Sequence, residues 1–100
     1  MKDKVPRSFT VGGQDFKVKY GKEISEGNFG HTEYFQNEVV VKSHYNGKPY
    51  NKQQQVQCFY HELVHVILMT MNEHELNSNE QFVDIFGQFF YQFMKTAKWK

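Results

Sequence analysis

Residues 61–65 read His-Glu-Leu-Val-His, and no other stretch of the chain is better equipped for chemistry. Two histidines four apart on a helix share one face, one turn apart, so both imidazoles can reach a single metal ion. Glu62 follows the first histidine and can act as general base toward a water activated by that ion. A hydrolytic zinc site takes three protein ligands and keeps one position open. Glu80, fifteen residues beyond His65 (80 − 65), is the expected third ligand. Asp84 lies four residues further on the same helical face and can accept the outer ring N–H of a ligand histidine. His74, within Glu73-His74-Glu75, is the rival third ligand, although its setting reads as exposed loop. The ligand types point to one Zn2+ per chain.

Elements must hold these residues in place. Val56, Phe59, Tyr60, Leu63, Ile67 and Met71 recur at helical spacing from about Gln53, which predicts a helix with one buried stripe and the histidines on a neighbouring face. Cys58 reads as a small buried helix residue. Residues 72–77 are polar and read as a short connection. A second helix is expected from about Ser78 to Lys95, apolar around most of its circumference and therefore largely buried. Asn77 and Glu80 fit a capping box at its start. Gly87 would allow this helix to approach the first closely, and an antiparallel pair would bring Glu80 back beside His65.

The first half of the chain reads as strands. Ser8–Val11 and Phe16–Tyr20 flank Gly12-Gly13-Gln14-Asp15, a hairpin signal. Residues 21–30 read as loop. Residues 30–35 and 38–42 form a second strand pair turning at Gln36-Asn37, with Val39-Val40-Val41 the strongest strand signal. Asn46-Gly47-Lys48-Pro49 is a turn. The expected class is α+β, a small antiparallel sheet packed on two long helices.

Composition narrows the function. A chain of 100 residues suits one domain, spanning 1–100. A net charge of +1 without a basic cluster gives no reason to expect nucleic acid as a partner. No apolar run is long enough to span a bilayer, and the first residues have no signal-peptide pattern. The single cysteine excludes an internal disulfide and fits a reducing, cytoplasmic setting. Nothing in the sequence assigns an oligomeric state.

The motif followed by Asn79-Glu80-Gln81-Phe82-Val83-Asp84-Ile85-Phe86-Gly87 resembles the gluzincin clan of zinc metallopeptidases, of which thermolysin is a member. Val83 departs from the pattern, where serine is usual. A metzincin would carry a histidine at position 71, which is Met71. In size and layout the chain looks more like small phage-type and ImmA/IrrE-like metallopeptidases, or a minimal gluzincin. The resemblance implies a zincin-like fold, His61, His65 and Glu80 as zinc ligands, Glu62 as general base and Asp84 behind a ligand histidine. The second domain that supplies transition-state donors in thermolysin-like enzymes has no counterpart here; Tyr34, His44, Tyr60 and Tyr91 are the candidates to replace it.

The expected function is hydrolysis of a peptide bond in a narrow, phage- or regulator-related protein substrate. An extended substrate would pair with an exposed edge strand near Val39–Val41. The alternative is a non-catalytic zinc-binding interaction module on the same fold. A purely structural zinc site ranks last, because such sites are closed and rich in cysteine.

Overall fold

The computed structural model describes residues 4–21, 30–45 and 48–99. Strand β1 (Ser8–Val11) and strand β2 (Gln14–Gly21) form the expected antiparallel hairpin. Gly12 and Gly13 turn it with φ of +60° and +77°, a left-handed pair that glycine adopts without strain. The expected loop over 21–30 falls almost wholly outside the described residues. Strand β3 (Gly30–Glu33), a 3-10 turn (Tyr34–Gln36) and strand β4 (Glu38–Lys42) follow. Asn37 closes that turn at φ 55°, and its side-chain amide donates to the Asp15 carbonyl. Strands β5 (His44–Tyr45) and β6 (Lys48–Pro49) make a small separate pair, and Asn46-Gly47 of the expected turn lies outside the described residues.

The main sheet has the order β1-β2-β4-β3. Its two hairpins are antiparallel, but β2 and β4 run parallel, with Val18 beside Val39. The sheet is therefore mixed rather than antiparallel. Val39–Val41 also lies inside the sheet and not at its edge, which corrects the expected docking strand. The physical reason is burial. Val39 and Val41 are fully buried, and a valine-rich strand gains most where both flanks are paired. The edge beyond β4 is β3.

Helix α1 (Lys52–Thr70) begins on a full capping box, with Asn51 and Gln54 exchanging side chain-to-backbone hydrogen bonds. Such a cap contributes about 1 kcal/mol. The helix packs on β4 and β3 with one side and on α3 with the other, so it is the middle layer. Its burial is correspondingly wider than one stripe. Val56, Cys58, Phe59, Tyr60, Glu62, Val64, Val66 and Leu68 are all buried, whereas Met71, placed in the stripe by its spacing, is exposed beyond the helix end.

The end of α1 decides where the chain goes next. Asn72 adopts φ 64°, its N–H bonds the Met69 carbonyl, and the Glu73 N–H bonds the Leu68 carbonyl. This double closure around a left-handed residue reverses the chain. Within the expected connection lies a short helix, α2 (His74–Ser78), and then α3 (Glu80–Thr96) returns along α1. Asn79, not Asn77, caps α3, its side chain accepting from Phe82 N–H at 3.0 Å.

Two apolar clusters hold the layers. The larger joins Phe16, Val39 and Val41 of the sheet to Val56, Phe59, Tyr60 and Val66 of α1 and to Tyr91 of α3. The smaller joins Val64 and Leu68 to Val83. Helix α3 buries only Val83, Gly87 and Tyr91, and exposes Ile85, Phe86, Phe89 and Phe93, so it is not the largely buried element its composition suggests. Among the described residues, no helix is long and apolar enough to cross a membrane.

Candidate metal centre

Helical spacing places His61 and His65 one turn apart on α1, their ring centroids 5.1 Å apart. Both side chains are mostly covered, at 13% and 16% exposure, while Glu80 stands 65% exposed at the first residue of α3. That end of a helix favours an acid through the backbone dipole, and the same position brings the carboxylate over the histidines. His65 Nε2 lies 3.0 Å from Glu80 Oε1, and His61 Nε2 lies 3.5 Å from Glu80 Oε2. Together the three residues form one cluster whose ligand atoms all lie within 4.8 Å of one another. Tetrahedral ligands about 2.0–2.1 Å from a zinc ion are about 3.3 Å apart, so the two contacts to Glu80 are close to that spacing, and the His65 contact is also of hydrogen-bond length.

Each outer ring nitrogen faces an oxygen. His65 Nδ1 lies 2.7 Å from Asn77 Oδ1. That oxygen can accept a proton from Nδ1, while Nε2 lies at hydrogen-bond distance from Glu80 Oε1. His61 Nδ1 faces Asp84 Oδ1 at 3.5 Å, the partner expected from the four-residue step after Glu80. Each histidine thus turns Nε2 inward, with an oxygen behind it.

Glu62 is 3% exposed, between α1 and the edge strand, and its Oε1 accepts a 2.8 Å hydrogen bond from the Thr32 hydroxyl of β3. Burial pushes its carboxyl above the ordinary value. The Thr32 bond and the two histidines pull it back, and Glu80 adds to the rise. Three carboxylates, Glu62, Glu80 and Asp84, thus surround two imidazoles, and His61, His65 and Glu80 are the residues that could hold a metal ion.

Gly87 makes the helix approach possible. A methyl group there would lie 3.2 Å from His61 Cα and 3.3 Å from His61 N. These are backbone atoms that cannot swing aside, so the glycine lets α3 run close enough for Asp84 to face His61. Beside that pair opens a cavity of about 170 Å³, walled by Tyr50, Gln54, Gln57, Cys58 and Gln88. Burial pushes the Cys58 thiol up to about 12.

The remaining candidates lie elsewhere. His74 is exposed in α2 and does not join the cluster. Tyr60 and Tyr91 pack against each other in the core, ring centroids 5.7 Å apart. Tyr34 shares a 3.2 Å hydrogen bond with Thr70, and His44 Nδ1 pairs with Ser43 Oγ at 2.8 Å. Sequence reasoning missed Thr32 and Asn77. Thr32 carries no local signal. Asn77 carries a weak one: two asparagines flank Ser78, and one helix start needs only one cap. No known family model, curated protein or solved structure matches the chain.

Proposed function

We propose that this protein is a zinc-dependent metallopeptidase on a zincin-like fold of the gluzincin type. One observation supports the reading: two inward-facing histidine Nε2 atoms and the Glu80 carboxylate converge within 4.8 Å of one another, one residue from a buried glutamate. His61, His65 and Glu80 would hold the ion. When bound, zinc supplies a Lewis acid that polarises the scissile carbonyl and lowers the pKa of a water. Glu62 takes the proton of the attacking water and returns it to the leaving amine. Thr32 orients that carboxylate, while Asn77 and Asp84 fix the two imidazoles. The cavity beside His61 presents three glutamines and a tyrosine together with the Asp84 carboxylate, which suit a small polar side chain of a narrow peptide or protein substrate.

A second reading, a zinc-binding interaction module without turnover, is favoured by the depth of Glu62 and its bond to Thr32. The same experiment separates the two. Elemental analysis of zinc-loaded protein is expected to find about one zinc per chain in the wild type and none in His61→Ala or Glu80→Ala. Absence of zinc from the wild type overturns both readings. Glu62→Gln is expected to keep its zinc and to hydrolyse a peptide mixture about 10²–10⁴-fold more slowly. Zinc retained with no hydrolysis by the wild type leaves the interaction module.

A further inference from the structure

The outer face of α3 carries a pattern that the metal centre does not use. Phe82, Phe86, Phe89 and Phe93 recur at steps of four, three and four, which is the alternation of a two-helix seam. The charged residues of the helix, Glu80, Asp84 and Lys95, all fall on the other side of the helical wheel. The polar residues on and beside this outward face are Gln81, Gln88, Gln92 and Thr96, and none is charged. A free surface helix places charges there; this one places phenylalanines.

The surface also has the right relief. A hollow lies between Phe82, Ile85, Phe86 and Phe89. Those are positions i, i+3, i+4 and i+7, the four residues that make one hole for a knob from a facing helix. Phe86, Phe89 and Phe93 stand 49%, 66% and 56% exposed, and Trp99, edge-on to Phe93, is 70% exposed. With an aromatic side chain taken as about 200 Å², these four expose roughly 500 Å². A two-fold pair would bury about 1,000 Å² from them alone, the area at which a specific interface begins, before Ile85 and the glutamine rim are added.

We propose that α3 is the dimer interface of this protein, its phenylalanine seam packing against the same seam of a second copy. One helix carries both the knobs and the hole, so a single surface is complementary to itself under a two-fold axis. An uncharged seam brings no like charges together on that axis. Glu80 and Asp84 lie on the opposite side, so both metal centres stay accessible.

Sedimentation equilibrium across the micromolar range tests this on the full chain. The expected wild-type mass is twice the 12.0 kDa of one chain. Phe89→Glu, and separately Phe93→Glu, should weaken the dimer by roughly a hundredfold or more, as a charge in the centre of a helix seam does. Their circular dichroism and zinc content should match the wild type, since both side chains are exposed in one chain and distant from the ligands. A wild type that sediments as a single chain throughout overturns the proposal and hands the face to another partner. So does a dimer that survives both substitutions.

Discussion

Helices α1 and α3 lie side by side and invert the usual rule for where polar and apolar groups belong. Helix α1 buries a carboxylate and a thiol, Glu62 and Cys58, and is covered on two sides. Helix α3 exposes Ile85, Phe86, Phe89 and Phe93 and keeps its acids on the side facing α1. Buried polar groups and exposed apolar patches are the informative departures from ordinary burial. In α1 the departure is answered inside the molecule, by Thr32, the histidines and the cavity beside them. In α3 the inner face is answered by α1 and the outer face is not. The middle helix therefore carries the His61–His65–Glu80 cluster on the side it shares with α3, while the outer helix shows phenylalanine on the side turned away.

The contrast can be broken at the seam between the two helices. The largest effect is expected at the residues behind the ligand rings. Asn77→Ala removes the acceptor that holds the His65 tautomer, and zinc affinity should fall about 10–100-fold, read by competition with a chromophoric chelator. Asp84→Asn should act in the same direction on His61. An unchanged affinity in both would make these contacts incidental to the centre.

Gly87→Ala comes next. The added methyl meets the His61 backbone, so the helices must part by a few tenths of an ångström. Urea denaturation should show a loss of about 1–3 kcal/mol, the cost of overpacking. Weaker zinc binding should accompany it, because the same shift moves Asp84 and Glu80 away from the histidines. A variant as stable as the wild type would mean that the helix approach is looser than the glycine implies.

The smallest effect sharpens the picture of α1 as a buried middle layer. The Cys58 thiol is pushed up to about 12 by burial, with Glu62 adding to the rise and contacts to Lys42 opposing it. A folded-state value above the unfolded one leaves its contribution intact below the unfolded pKa. The contribution is then lost as pH rises from there toward 12. Between pH 9 and 10 the wild type should therefore lose up to about 1 kcal/mol more than Cys58→Ala does. Equal slopes for the two proteins would put the thiol in contact with water.

Local periodicity determined much of this protein from sequence alone. The shared face of His61 and His65 was readable because a helix repeats every turn, and so was the step from Glu80 to Asp84. The β1–β2 hairpin was readable because Gly12-Gly13 suits one turn. Gly87 was readable as a point of approach. Layer order was not. Side-chain polarity along a helix does not say whether one neighbour or two will cover it, so α1 was expected to bury one stripe and α3 nearly everything. Strand direction was not readable either, since alternation along β2 and β4 is the same whether they pair parallel or antiparallel. The hydrogen bonds around the candidate metal centre span 12 residues from His65 to Asn77 and 30 from Thr32 to Glu62. No repeat in the chain encodes such separations. They exist only because the sheet, α1 and the reversal at Asn72 bring distant residues to one corner.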